Sequence, residues 1–251
     1  MFSLTVVLVL ISLAITLFST LIITPIIIKL AGKVGAMDAP DSRKVHFTTT
    51  PRMGGVSVFL GLSVGIISLY LIHPSLLMNT WLSSWYGISL FITIICVMSI
   101  GIVDDIRSLT PLEKVSGQLI LAIIAYLSGF GISMKDTIFT NTFLSSGIFD
   151  LPFTLIWIIG VTNALNLIDG LDGLASGVSI IAAATISLIS FLHNDIATAI
   201  ISMMLVGSLV GFLRYNFNPA KIFLGDSGSL FLGFLLSILS LKSYTKIQTG
   251  F

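Results

Sequence analysis

The stretch Asn163–Gly177, NALNLIDGLDGLASG, follows directly on a long apolar run, Leu151–Val161. Two carboxamides, Asn163 and Asn166, and two carboxylates, Asp169 and Asp172, recur in it at three-residue steps. On a continuing helix that spacing keeps the four polar groups near one side, drifting slowly around the axis. An apolar core helix gains nothing from such a row, and burying it unpaired is costly. Gly170, Gly173 and Gly177 weaken the helix but admit another backbone or a ligand at close range. The competing reading is a polar helix end closed by a glycine hairpin. Either way, an apolar helix delivers polar groups to the edge of a bundle.

The rest of the chain supplies that bundle. Its 251 residues are 55% hydrophobic and 9% charged, with a mean hydropathy of +1.09. Soluble domains carry about 25% charged residues. Apolar runs predict helices near 3–29, 55–72, 87–103, 115–134, 151–168, 177–192, 196–213 and 228–241. The fold expected is all-α: a polytopic transmembrane bundle of about eight helices, forming one integral-membrane domain over residues 1–251. Phe2–Ile28 is too long for a signal-peptide core and lacks a preceding basic region, so it reads as a retained helix. Cys96 is the single cysteine and lies in an apolar run, which excludes a disulfide framework and a thiolate metal site. It reads as a small buried hydrophobe. There is no basic tract for nucleic acid.

Charge sets the expected orientation. Lys29, Lys33, Arg43, Lys44, Arg52, Arg107, Lys114, Arg214 and Lys221 fall in or beside the loops after the first, third, fifth and seventh predicted helices. Only Lys135, Lys242 and Lys246 fall on the other side. This asymmetry places the N-terminus outside and the odd-numbered loops in the cytoplasm. Eight of the eleven acidic residues share that side, so any chemistry is expected there.

Three further polar clusters join the first. Met37–Gly55, MDAPDSRKVHFTTTPRMGG, carries Arg43, Lys44, His46 and Arg52 amid Pro and Gly punctuation. It reads either as a shaped phosphate- or nucleotide-facing loop or as a positive anchor on anionic lipid. Asp104 and Asp105 are adjacent and repel each other unless a cation or basic side chain neutralises them. Lys114 is near enough in sequence to hold a phosphate beside the pair, while the alternative is a solvated helix cap. Phe223–Gly233, FLGDSGSLFLG, sets Asp226 between Gly225 and Gly228, with Ser227 beside it. A carboxylate leading a helix there suits a metal-bridged phosphate near exposed backbone N–H groups. Close helix packing explains the glycines but not Asp226. Together the clusters offer carboxylates and carboxamides without a cysteine or histidine pair, a donor set that favours Mg²⁺ or Mn²⁺ over zinc. Magnesium with basic residues at a membrane face implies phosphate chemistry.

These four motifs, in this order, resemble the polyprenyl-phosphate N-acetylhexosamine-1-phosphate transferases, glycosyltransferase family 4. The likeness runs from the first helix to about Leu241, and NALNLIDGLDGLASG with FLGDSGS carries most of it. The first loop is similar to the WecA/TagO-like pattern DxPxxRKxHxxPxPRxGG, with Thr49 where a proline is usual. The resemblance implies transfer of an N-acetylhexosamine-1-phosphate, GlcNAc-1-phosphate first, from a UDP-sugar to undecaprenyl phosphate, with Mg²⁺ and release of UMP. That is a first membrane step of cell-envelope glycan assembly, at the cytoplasmic face of a bacterial inner membrane.

Carried over by motif, Asn166 and Asp226 hold the metal, and Asp104 and Asp105 lie beside the polyprenyl phosphate, with Asp105 positioning or deprotonating it. Lys114 holds phosphate, Asp169 and Asp172 support the nucleotide and metal, and Asn163 braces the site. Arg43, Lys44, His46, Arg52, Gly225 and Ser227 are the remaining substrate-binding candidates. The resemblance leaves room for a homodimer. Family members continue for further helices and a His-rich loop, which are expected to be missing from a chain ending at Phe251. An inactive truncated member is therefore one alternative. The other is an ion-coupled transporter, which the clustering of carboxylates at one face rather than the midplane argues against.

Overall fold

The computed structural model describes residues 2–38, 49–78, 80, 82, 84–133 and 147–249. Arg43, Lys44 and His46 lie outside the described residues. The predicted helices are all present, as α1 (Phe2–Val34), α2 (Gly54–Ile72), α4 (Trp85–Arg107), α5 (Pro111–Leu127), α6 (Asp150–Ile168), α7 (Leu174–Leu192), α8 (Ile196–Asn216) and α9 (Gly225–Thr249). A five-residue helix, α3 (Pro74–Met78), was not foreseen. Neither was the antiparallel pair β1 (Met37–Asp38) and β2 (Thr50–Pro51), which ties off the first loop with Met37 opposite Pro51. Among the described residues seven helices are long and apolar enough to cross a membrane; the expected all-α bundle is what forms.

Several boundaries need correction: α1 runs on to Val34 rather than 29, α9 runs on to Thr249 rather than 241, and one helix is displaced at both ends. The fourth predicted helix, 115–134, is α5, Pro111–Leu127. Thr110 and Glu113 form a reciprocal capping box, and Pro111 takes a first-turn position whose N–H has no helical partner to lose, so the helix starts a turn early. Gly129, at φ 86°, ends it.

Packing follows small residues. α1 presents buried Ser12, Thr16, Thr20 and Thr24 at four-residue spacing. Gly61 and Gly65 of α2 and Gly207 and Gly211 of α8 pack against this row. Thr24 donates to Ser57 Oγ of α2 at 3.1 Å. With lipid on the outside there is little hydrophobic gain between helices, so close backbone approach and such bonds hold them. α8 and α9 form the interior, with Phe212, Phe231, Phe234 and Leu209 fully buried. Leu10, Phe18, Ile22, Leu71, Ile156 and Ile181 point outward from the rim, as lipid-facing residues should. Cys96 joins them: it is exposed on α4 rather than buried, a correction to the expectation. The helices alternate in direction, so residues 35–38 and 49–53 and the segments 108–110, 169–173 and 217–224 gather at one end.

Candidate active site

At that end the chain is tied to itself across long sequence distances. Phe223 N–H donates to Pro51 O at 2.8 Å, and Gly54 N–H returns a bond to Phe223 O at 3.0 Å. The segment leading into α9 is thereby held against the start of α2, and Asp226 is delivered from the first turn of α9.

Ser108, at φ 54°, breaks the chain after α4, and the capping box at Thr110 restarts it as α5 in the reverse direction. The reversal carries Lys114 back over the end of α4. Its ammonium is paired with Asp104 and lies 3.3 Å from Asp226 Oδ1. Asp104 Oδ1 accepts from Leu109 N–H at 2.6 Å, which closes the same turn. From α6, Asn166 Nδ2 donates to Asp226 Oδ1 at 2.5 Å and to Ser229 Oγ at 2.8 Å. Four helices therefore meet around one carboxylate.

Below this cluster, Asn163 Nδ2 donates to Gln118 Oε1 at 2.6 Å and to Ile159 O at 2.8 Å. Gln118 is buried one turn after Lys114, and it clamps α5 to α6. Sequence reading missed it; the signal was a lone carboxamide in an apolar run, one turn from a singled-out lysine. Ser229 was also missed, hidden among the small residues of the α9 start.

The polar row Asn163, Asn166, Asp169 and Asp172 divides. Asn163 and Asn166 lie on α6, and Asp169 caps its C-terminus. The helix does not continue to Asp172, because residues 169–173 turn and Gly173, at φ 73°, supplies a left-handed residue before α7. The helix ends at Ile168, where the predicted 151–168 span ends, and a glycine turn follows it. Asp172 Oδ2 accepts from Asn218 Nδ2 at 3.0 Å and from Ala220 N–H at 2.9 Å, bracing the 217–224 segment. Ser176 and Asn216 add to the brace, with Asn216 Nδ2 donating to Ile222 O at 3.0 Å. Arg52 pairs with Asp38 on the ladder. Gly225 and Ser227 are buried.

Burial pushes the Asp169 carboxyl well above the ordinary aspartate range, and the negative charges of Asp226 and Asp105 add to the effect. The cluster thus carries Asp104, Asp105, Asp169 and Asp226 with Lys114 as the cation in direct contact. Asp226 Oδ2 and Asn166 Oδ1 take part in none of the bonds above. An oxygen-only donor set with surplus negative charge fits Mg²⁺ or Mn²⁺. Among the described residues no three His, Cys, Asp or Glu side chains are grouped to share an ion. The fit is therefore to a cation held by one carboxylate and one carboxamide, with its other positions left to water and phosphate, as is usual for Mg²⁺.

A bundle of long apolar helices with a polar end defines a multi-pass membrane protein. The family model for glycosyl transferase family 4 matches residues 87–244. Over 237 residues the chain is 40% identical to a probable undecaprenyl-phosphate N-acetylglucosaminyl 1-phosphate transferase of Bacillus subtilis, covering 94% of this chain and 63% of that protein. It is 35% identical to a phospho-N-acetylmuramoyl-pentapeptide-transferase of Listeria innocua, covering 90% and 71%. A decaprenyl-phosphate N-acetylglucosaminephosphotransferase of Mycobacterium tuberculosis is 36% identical, with 84% and 54% covered. The chain belongs to glycosyl transferase family 4. It spans less than two thirds of the Bacillus relative and about half of the mycobacterial one.

Proposed function

We propose that this chain carries the catalytic core of a polyprenyl-phosphate N-acetylhexosamine-1-phosphate transferase. The donor is a UDP-N-acetylhexosamine, with UDP-GlcNAc favoured by the higher identity to the Bacillus relative than to the Listeria one. The acceptor is undecaprenyl phosphate, and the site faces the cytoplasm from a bacterial inner membrane. The observation that carries the reading is Lys114 bridging Asp104 and Asp226 while Asn166 holds the same Asp226 oxygen.

In the reaction, an acceptor phosphate oxygen attacks the sugar-bearing phosphorus of the donor. The new P–O bond forms as the pyrophosphate P–O bond breaks, and UMP leaves. A phosphate monoester has a second pKa of about 6, so the acceptor is mostly ionised at neutral pH and a strong base is not required. Asp226 and Asn166 would hold Mg²⁺, which when bound supplies charge neutralisation for the pyrophosphate. Lys114, held between carboxylates, offers its ammonium to an entering phosphate oxygen and offsets repulsion between the two phosphates. Asp104 keeps that ammonium in place, and Gln118 with Asn163 fixes α5 and α6 so that Lys114 and Asn166 face the same oxygen.

The test is UMP release by the purified chain, alone and completed with the part of the Bacillus relative that the match leaves uncovered. It receives undecaprenyl phosphate, Mg²⁺ and a panel of UDP-N-acetylhexosamines. Lipid-dependent release that falls at least about 100-fold in Asp226→Asn is the expected result. No release in either form, or release indifferent to Asp226, would overturn the proposal.

A further inference from the structure

The N-terminus of α9 has the makings of an anion site: a positive helix end whose first N–H groups have no helical partner. In this chain that place is already taken. Asp105 Oδ1 accepts from Asp226 N–H at 2.8 Å, and Oδ2 accepts from Ser227 N–H at 3.1 Å. The Asp105 side chain is buried, so both bonds are shielded from water. The fit leaves no room for a guest. A Cβ at Gly225, itself at φ +75°, would come within 2.7 Å of Asp105 Oδ2. One turn back on α4, a Cβ at Gly101 would lie 2.4 Å from Ser227 Cα. The two helices meet backbone against backbone on either side of the carboxylate.

We infer that Asp105 is a positioning residue: its carboxylate is the built-in anion of the α9 N-terminus, and it aims Asp226 into the site instead of touching the acceptor phosphate. Both of its oxygens are committed to the two N–H groups that flank the Asp226 side chain. Its neighbour Asp104 faces Lys114, so one adjacent pair of aspartates is split between two tasks. Loss of Asp105 leaves the peptide groups of Asp226 and Ser227 unpaired and frees the first turn of α9 to fray. The side chain most displaced by that fraying is Asp226 itself.

The inference rests on the proposed transfer reaction only for its kinetic arm. The structural arm is amide hydrogen exchange of the 224–229 segment in the purified full chain, comparing wild type with Asp105→Asn, Asp105→Ser and Asp104→Asn. Asn keeps the volume and one acceptor, so the variant retains its fold. Protection of that segment should fall about tenfold in Asp105→Asn or Asp105→Ser and stay unchanged in Asp104→Asn. This arm holds or fails whether or not UMP is released.

In the kinetic arm, Asp105→Asn and Asp105→Ser keep partial activity, with kcat reduced and the KM for polyprenyl phosphate unchanged. Adding Asp105→Asn to Asp226→Asn deepens the loss no further, because both act through one side chain. Unchanged protection in the Asp105 variants overturns the inference. So does a loss that multiplies in the double variant, which would put Asp105 on the reacting phosphate.

Discussion

At the end of the bundle that holds Lys114 and Asp226, segments far apart in sequence bond one another; at the opposite end the described turns are held chiefly within themselves. Near Lys114 the bonds join positions 105 and 226, 166 and 226, 172 and 220, and 51 and 223. At the far end Asp195 caps its own helix through Thr198, and His193 Nδ1 lies 2.9 Å from Ile189 O. Between elements the far half has side-chain contacts such as Ile132 N–H to Thr154 Oγ1, Ser187 to Ala199 O and Ser190 to Ser243, and Lys242 lies over the rings of Tyr86 and Phe130. A local turn has only to reverse the chain. The other end must hold several helix ends in one fixed relation, and bonds that each cross the bundle do that.

The comparison breaks most sharply at Gly101. Even a methyl there meets α9 backbone, which cannot swing aside as a side-chain tip can. Gly101→Ala should lower stability by about 1–3 kcal/mol. It should also abolish transfer by pushing Asp226 out of line. Denaturation in detergent and UMP release measure the two effects on one preparation.

The matching change at the far end is Asp195→Ala. It removes a buried cap, with an expected loss of about 1 kcal/mol, and should leave transfer untouched. Equal damage to transfer from both variants would dissolve the distinction between the two ends.

A smaller effect sharpens the electrostatic side. Because the folded protein raises the Asp169 pKa, the native state binds its proton more tightly than the unfolded chain does. The carboxyl therefore costs nothing at pH values below the ordinary aspartate range, and costs stability as pH rises from that range through the raised value. Asp169→Asn should raise the melting temperature at pH 7, with the gain shrinking toward pH 4. A gain that grows on acidification would reverse the sign and contradict the assignment.

Much of this was legible in the sequence, for reasons that differ by residue. Apolar runs disclosed all eight long helices, since lipid leaves each run little choice but to be a helix. The start of α5 was missed because the Thr110–Glu113 capping box extends it into the polar loop. Asn166 and Asp226 were found as chemistry-bearing side chains, and the structure brings them together. What could not be read was which carboxylates serve the backbone. Asp105 and Asp172 bond N–H groups, and an N–H carries no residue identity. Composition cannot tell a carboxylate that will face a ligand from one that will face a peptide group more than a hundred positions away.

The central claim is that Lys114 and Asp226 work as one unit around a phosphate. Mg²⁺-dependent UMP release should be measured for Lys114→Gln, Asp226→Asn and the double variant, in the form of the chain that shows activity. Each single variant is expected to lose at least about 100-fold, and the double variant to be no worse than the weaker single. Losses that multiply in the double variant would mean that the two side chains act separately, and would contradict this account.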